Sequence, residues 1–130
     1  MSDQKIILLV DEDAKYRQNL SSRLSMNGYK VYQATSGFHS LNLIEENIFD
    51  LILLKNSMGQ MGGMETLILI RSSKKNPSIP AILVKEEEEL TGSDELGDDL
   101  KGLLNGIYNT ASSFQELLEK INTALNLKSV

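Results

Sequence analysis

At 130 residues, 41% of them hydrophobic and 24% charged, the chain has the size and composition of one globular domain and is too apolar to stay disordered. The net charge of -5 gives no basic face for a nucleic-acid backbone or an anionic membrane, so proteins are the expected partners. There is no cysteine, which excludes disulfides, thiol catalysis and thiolate metal sites, and one histidine makes no metal site.

Residues 1 to 130 are expected to form a single domain, structured over about residues 4 to 126. The first apolar run, Ile6 to Val10, suits a buried strand and is too short for a signal peptide core or a membrane span, so a cytoplasmic location is expected. Tyr16, Leu20 and Leu24 recur at fourfold spacing and predict a helix. Lys30 to Thr35 reads as a second strand, Gly37 to Glu46 as a helix, and Leu51 to Leu54 as a third strand. A helix is expected over Met64 to Lys74, a strand over Ala81 to Val84, a helix over Asp94 to Leu104 that Gly97 and Gly102 weaken, and a strand over Gly106 to Thr110. Phe114, Leu117, Leu118, Ile121 and Leu125 then form an apolar stripe on a last helix. Strands alternating with helices at this spacing predict five βα units, hence a parallel sheet with helices on both faces. In an open sheet of this kind, chemistry collects at the carboxyl ends of the strands.

The first strand ends in Asp11, Glu12 and Asp13, adjacent carboxylates of the kind that hold a hard cation such as Mg²⁺, although Asp13 could equally cap the helix that follows. The segment Ile7 to Asp13 with Arg17 and Leu20, the segment Phe49 to Leu54 with Met58, Met61, Gly63 and Glu65, and the segment Ile79 to Val84 together resemble response-regulator receiver domains. The resemblance implies a flavodoxin-like, doubly wound α/β fold, a five-stranded parallel sheet of order 2-1-3-4-5, and a signalling module of two-component, phosphorelay type that is not an enzyme.

Set against that family, the strand ends depart from its pattern. The third strand should end in the phosphoryl-accepting aspartate and ends in Lys55; the fourth should end in a threonine or serine and ends in Lys85. The fifth should end in a lysine, and its best register puts Thr110 there, while Gly59 replaces the family's proline after the third strand. Of the phosphorylation pocket only Asp11 and Glu12 are kept. An ammonium has no lone pair with which to accept a phosphoryl group, and a fixed positive charge repels Mg²⁺. Lys55 is therefore expected to face Asp11 or Glu12 directly, metal binding is expected to be lost, and no cofactor is expected.

Eight acids, Glu86, Glu87, Glu88, Glu89, Asp94, Glu95, Asp98 and Asp99, follow the fourth strand with no basic residue among them. They form the candidate interaction face, with Tyr108 beside them, aimed at a basic protein partner; a solvated face is the plainer alternative. Tyr108 and Ile107 stand where receivers carry a switching aromatic residue, and with that relay missing they are expected to pack. His39 is expected at the surface, and Met58, Met61 and Met64 in loop and helix-start packing.

The leading expectation is a non-phosphorylatable receiver-like module that works by constitutive protein contact with a signalling kinase, a regulator or an output protein, with homodimerisation left open. The alternative is a phosphotransfer receiver that uses Asp13 or Ser57 as acceptor. A flavin site is disfavoured, because Asp11, Glu12 and Asp13 would repel a phosphate after the first strand.

Overall fold

Five apolar runs form the five strands, and in this computed structural model residues 4–90 and 98–126 are described. The order is β1 (Ile6–Val10), α1 (Ala14–Met26), β2 (Lys30–Ala34), α2 (Gly37–Glu46), β3 (Leu51–Lys55), α3 (Gly63–Arg71), β4 (Ala81–Lys85), a single 3-10 turn (Glu87–Leu90), α4 (Asp98–Lys101), β5 (Gly106–Asn109) and α5 (Phe114–Ala124). All pairings are parallel and the sheet order is β2-β1-β3-β4-β5, as expected.

Strand alternation divides the core in two. On one face Ile7, Leu9, Leu51, Leu53, Ile82, Val84 and Tyr108 pack with Leu20 and Leu24 of α1 and with Leu117 and Ile121 of α5. On the other Leu8, Val10, Ile52, Leu54 and Ala81 pack with Ile44 of α2 and with Leu67 and Ile70 of α3. Each fully buried leucine or isoleucine contributes roughly 2 kcal/mol of transfer free energy. The central strand is covered on both faces, and this fixes its register: a shift by one residue would exchange the two layers.

The boundaries differ from the expected ones in instructive ways. β3 and β4 each run one residue further, to Lys55 and Lys85, because Lys55 pairs with Val84 and Lys85 with Asn109. β2 stops at Ala34 and β5 at Asn109, one residue short, and the Thr110 backbone stays tied to the sheet by the bond from its N–H to the Lys85 carbonyl, 3.0 Å. α3 begins at Gly63 and ends at Arg71, not at Lys74, since the hydroxyls of Ser72 and Ser73 bond back to the carbonyls of Ile68 and Ile70. The described part of α4 is the single turn Asp98–Lys101, and residues 94 to 97 of the expected helix lie outside the described residues.

Asp13 caps α1, with its Oδ1 accepting from the N–H groups of Lys15 at 3.1 Å and Tyr16 at 3.2 Å. Asp13→Ala should therefore lower stability by about 1 kcal/mol in urea denaturation, with the slope of the transition unchanged.

Candidate functional site at the strand carboxyl ends

The same alternation that sorts the core sorts the polar residues at its edge. Lys55 follows Leu51 and Leu53 in register, and Glu86 follows Ile82 and Val84, so both belong to the α1/α5 face. Lys85 follows Ala81 and Leu83, whose Cδ1 lies against Gly63 at the start of α3, and so belongs to the opposite face. Both lysines are buried, Lys55 at 9% exposure and Lys85 at 4%.

Lys55 Nζ pairs with Glu86 Oε2. The other oxygen of that carboxylate, Oε1, accepts from the Thr110 hydroxyl at 3.1 Å. One carboxylate thus joins the end of β3 to the residue after β5. The turn is held at a second point, where Glu89 Oε2 accepts from Asn56 Nδ2 at 3.1 Å and Glu89 Oε1 accepts from the Glu86 N–H at 2.7 Å. Glu89 also takes a hydrogen bond from Ser57. Tyr16 of α1 closes the pocket from above, its ring centroid 5.8 Å from Lys55 Nζ.

The electrostatics follow from these contacts. The Lys55 ammonium holds the Glu86 carboxyl below the usual glutamate range against a smaller desolvation effect, helped by the Thr110 hydroxyl. Burial opposes ionisation of Glu89, but the hydrogen bonds from Glu86 N–H, Asn56 and Ser57 outweigh it and lower its pKa. For Asp11, burial prevails: it pushes the carboxyl above the ordinary aspartate range, against the hydrogen bond from Asp13 N–H and the charges of Lys55 and Arg17. Burial, with the nearby Tyr108, Asp11 and Glu86, pushes the Tyr16 hydroxyl up to about 12.

The expected direct pairing of Lys55 with Asp11 or Glu12 is thus corrected: its partner is Glu86. Asp11 feels the charge of Lys55, but its Oδ1 accepts from Asp13 N–H at 2.9 Å. Its carbonyl is held by Arg17 Nη1 at 2.8 Å. Glu12 turns away to accept from the Gly59 N–H at 3.0 Å, which anchors the loop before α3. Glu86 is half-exposed and has the longer arm, so it reaches a buried ammonium at a smaller desolvation cost than Asp11, 3% exposed, would incur. Asn56 has no expectation attached to it from sequence, and Gly59 has one only as the place of a missing proline; an exposed glycine N–H carries no sequence signal for the acid it will meet.

The acidic face is also redrawn. Glu86 and Glu89 are spent on internal contacts, while Glu87 and Glu88 are exposed. Asp94 and Glu95 lie outside the described residues, and Asp98 and Asp99 stand in α4. Tyr108 does not belong to a surface: it is 4% exposed, and its hydroxyl donates to the carbonyls of Ser112 and Ser113 at 2.9 and 3.2 Å. The expectation that it packs is met. His39 is half-buried, its Nδ1 accepting from the Thr35 N–H at 3.0 Å, and Met58 and Met64 pack on the α2/α3 side of the core with Met61 buried beside them.

The donors do not fit a magnesium ion. Asp11 Oδ1 accepts from the Asp13 N–H and Glu12 Oε1 from the Gly59 N–H, Lys55 pairs with Glu86, and no group of three metal-ligating side chains converges among the described residues. Nor is any helix among the described residues long and apolar enough to cross a membrane.

Comparison with known proteins places this geometry. The chain is 38% identical over 85 residues to the transcriptional regulatory protein ZraR of Klebsiella oxytoca, covering 65% of this chain and 19% of that protein. It is 34% identical over 95 residues to the response regulator MprA of Mycobacterium sp. (strain KMS), covering 72% of this chain and 41% of that one. The chain therefore spans less than half the length of these relatives. The crystal structure of a response regulator receiver domain protein from Clostridium thermocellum superposes with a TM-score of 0.81 at 24% identity, covering 94% of each chain, and shares the fold. The model of the response regulator receiver domain matches residues 7–96, which take in β1 from Ile7 onward, β2 to β4 and the turn that holds Lys55, and the chain belongs to the response regulator receiver domain family.

Proposed function

We propose that this receiver domain takes no phosphoryl group and signals by standing protein contact, within a two-component pathway of the cytoplasm, with a kinase, a regulator or an output protein. The observation that carries this is the Lys55–Glu86–Thr110 arrangement: the nucleophile's place holds an ammonium, and that ammonium is already neutralised from within the chain. Acyl-phosphate formation needs a carboxylate oxygen in line with the donor, beside a metal and a fixed cation. Here the strand end supplies the cation alone. On this reading the domain is not an enzyme, binds no Mg²⁺ and needs no cofactor.

The alternative acceptors are poorly placed for the reaction. Asp13 Oδ1 is committed to two backbone N–H groups of α1, and Ser57 is an exposed hydroxyl that donates to Glu89, with no group of three metal-ligating side chains converging beside it among the described residues. Incubation of the domain with acetyl phosphate and Mg²⁺ should leave its intact mass unchanged. A phosphoryl adduct that disappears on Asp13→Asn or Ser57→Ala would replace this proposal with phosphotransfer through that residue.

A further inference from the structure

Away from the Lys55 pocket, a cleft of about 180 Å³ opens between the end of β1, the start of α2 and the loop that leads into α3. Its apolar walls are Phe38, Met58 and Met61, and the exposed Glu12 and Gly59 stand at its edge. Local contacts pin these walls. Ser36 Oγ caps α2 by accepting from the His39 N–H at 3.0 Å, and Glu65 Oε1 accepts from the Gly62 N–H at 2.9 Å at the start of α3. Gly37 sits so close to α3 that a Cβ there would meet Thr66 Oγ1 at 2.2 Å and Met61 Cε at 2.8 Å, so the two helix starts are fixed against each other. Glu12 Oε1 accepts from the Gly59 N–H, which holds the carboxylate at the edge, while Oε2 takes no bond among the described residues. The cleft therefore exists before anything fills it, and little ordering cost falls on an occupant.

The surface around it is apolar and its free charge is negative. Phe38 is 53% exposed, Ile68 and Leu69 of α3 are exposed as well, and exposed Ile48 follows α2. The exposed charges on α2 and α3 are the acids Glu45, Glu46 and Glu65. Arg71 donates to the carbonyls of Pro77 and Leu103, and Lys74 and Lys75 lie past the far end of α3. We propose that the cleft is a docking site for a partner protein and takes an apolar side chain of leucine type whose neighbour in the partner's chain is basic. The apolar side chain fills the space against Met58 and Met61, whose unbranched side chains adapt to its shape, and covers the Phe38 ring. The basic neighbour stays at the edge and pairs with Glu12 Oε2; because that pair is exposed, it adds orientation and selectivity more than affinity. The site rests on the reading of standing protein contact and gives that contact a place and a chemistry, using none of Lys55, Glu86 or Thr110.

The test titrates the whole 130-residue chain, its methionine methyls labelled with carbon-13, with the end-blocked dipeptides Leu-Arg, Ser-Arg and Leu-Glu. Leu-Arg should shift the Met58 and Met61 methyl signals and the Gly59 amide saturably, and leave Met26, 84% exposed at the end of α1, unmoved. Ser-Arg, which has no apolar group to bury, should bind about tenfold more weakly. Leu-Glu, which loses the ion pair, should bind about fivefold more weakly. In Glu12→Gln, whose amide oxygen can still accept from Gly59, Leu-Arg and Leu-Glu should bind alike while leucine keeps its advantage over serine. Shifts that never saturate, or that appear equally at Met26, overturn the site. Equal binding of Ser-Arg and Leu-Arg overturns it too, since charge alone would then account for the contact. Movement of the same signals on raising the protein concentration without peptide would assign the cleft to a second copy of this chain instead. A phosphoryl adduct on the intact protein would sink the reading of standing contact and leave these peptide shifts in place, whereas an unchanged mass with no peptide shifts sinks the docking site alone.

Discussion

Gly63→Ala should cost about 2–3 kcal/mol of stability, the range for forcing an extra methyl into a closed space, whereas Gly106→Ala should be close to neutral. A Cβ at Gly63 would lie 2.5 Å from the Lys55 carbonyl oxygen and 2.9 Å from Leu83 Cδ1. The leucine can move, but the carbonyl belongs to the central strand, where Lys55 pairs with Val84 of β4. The Gly63 N–H also bonds the Asn56 carbonyl at 2.9 Å, so the start of α3 cannot back away without losing that bond. At Gly106 the nearest atom to such a Cβ is Ile82 Cγ1 at 3.8 Å, an ordinary contact, and the strand gains an alanine in place of a glycine. Urea denaturation of the two variants beside the parent measures the difference. Because the strained atom is the carbonyl of Lys55, the same Gly63 variant should also disturb the Glu86 pair, visible as a rise in the Glu86 carboxyl midpoint. Equal stability of the two variants would show that the α3 start has slack that the close approach does not suggest.

The fold was legible because its signals are redundant. Runs such as Ile6 to Val10 and Leu51 to Leu54 are too apolar for anything but doubly covered strands, and the stripe from Phe114 to Leu125 admits one helix orientation. α4 was harder to place, since Gly97 and Gly102 weaken the local preference that should mark its ends. The site was half legible. The resemblance to receivers puts Lys55 where an acid is expected, with Asp11 and Thr110 at neighbouring strand ends; its partner is not legible. A two-residue parity count from Val84 places Glu86 on the face of Lys55, although the acidic run reads as one surface. Parity alone would still have offered Asp11 as an equal candidate. What decides between them is burial, and the sequence does not print how much solvent each carboxylate keeps.

Lys55→Asp should produce the largest change at the strand ends, and it should fail to build a switch. With the ammonium gone, Glu86 loses the partner that lowers its pKa, and the introduced aspartate adds a like charge beside Asp11, so stability without metal falls. Three carboxylates near one point can then bind Mg²⁺, and at about tenfold its Kd the ion would return about 1.4 kcal/mol. Thermal unfolding with and without Mg²⁺ should show that dependence in the variant and none in the parent. Beryllofluoride, a phosphoryl mimic, should then perturb only the surroundings of position 55. The resemblance asks for a hydroxyl at the end of the fourth strand and a lysine at the end of the fifth to grip the added group. Lys85 carries no hydroxyl, and Thr110 offers, in place of a lysine, a hydroxyl that already donates to Glu86. A bound group shifts an equilibrium only through contacts that differ between the two states, and here those contacts are missing. Amide NMR shifts that reach Tyr108 and the turn at Glu87–Leu90 would show an intact relay, and would mean that Lys55 alone had silenced a domain otherwise ready to respond.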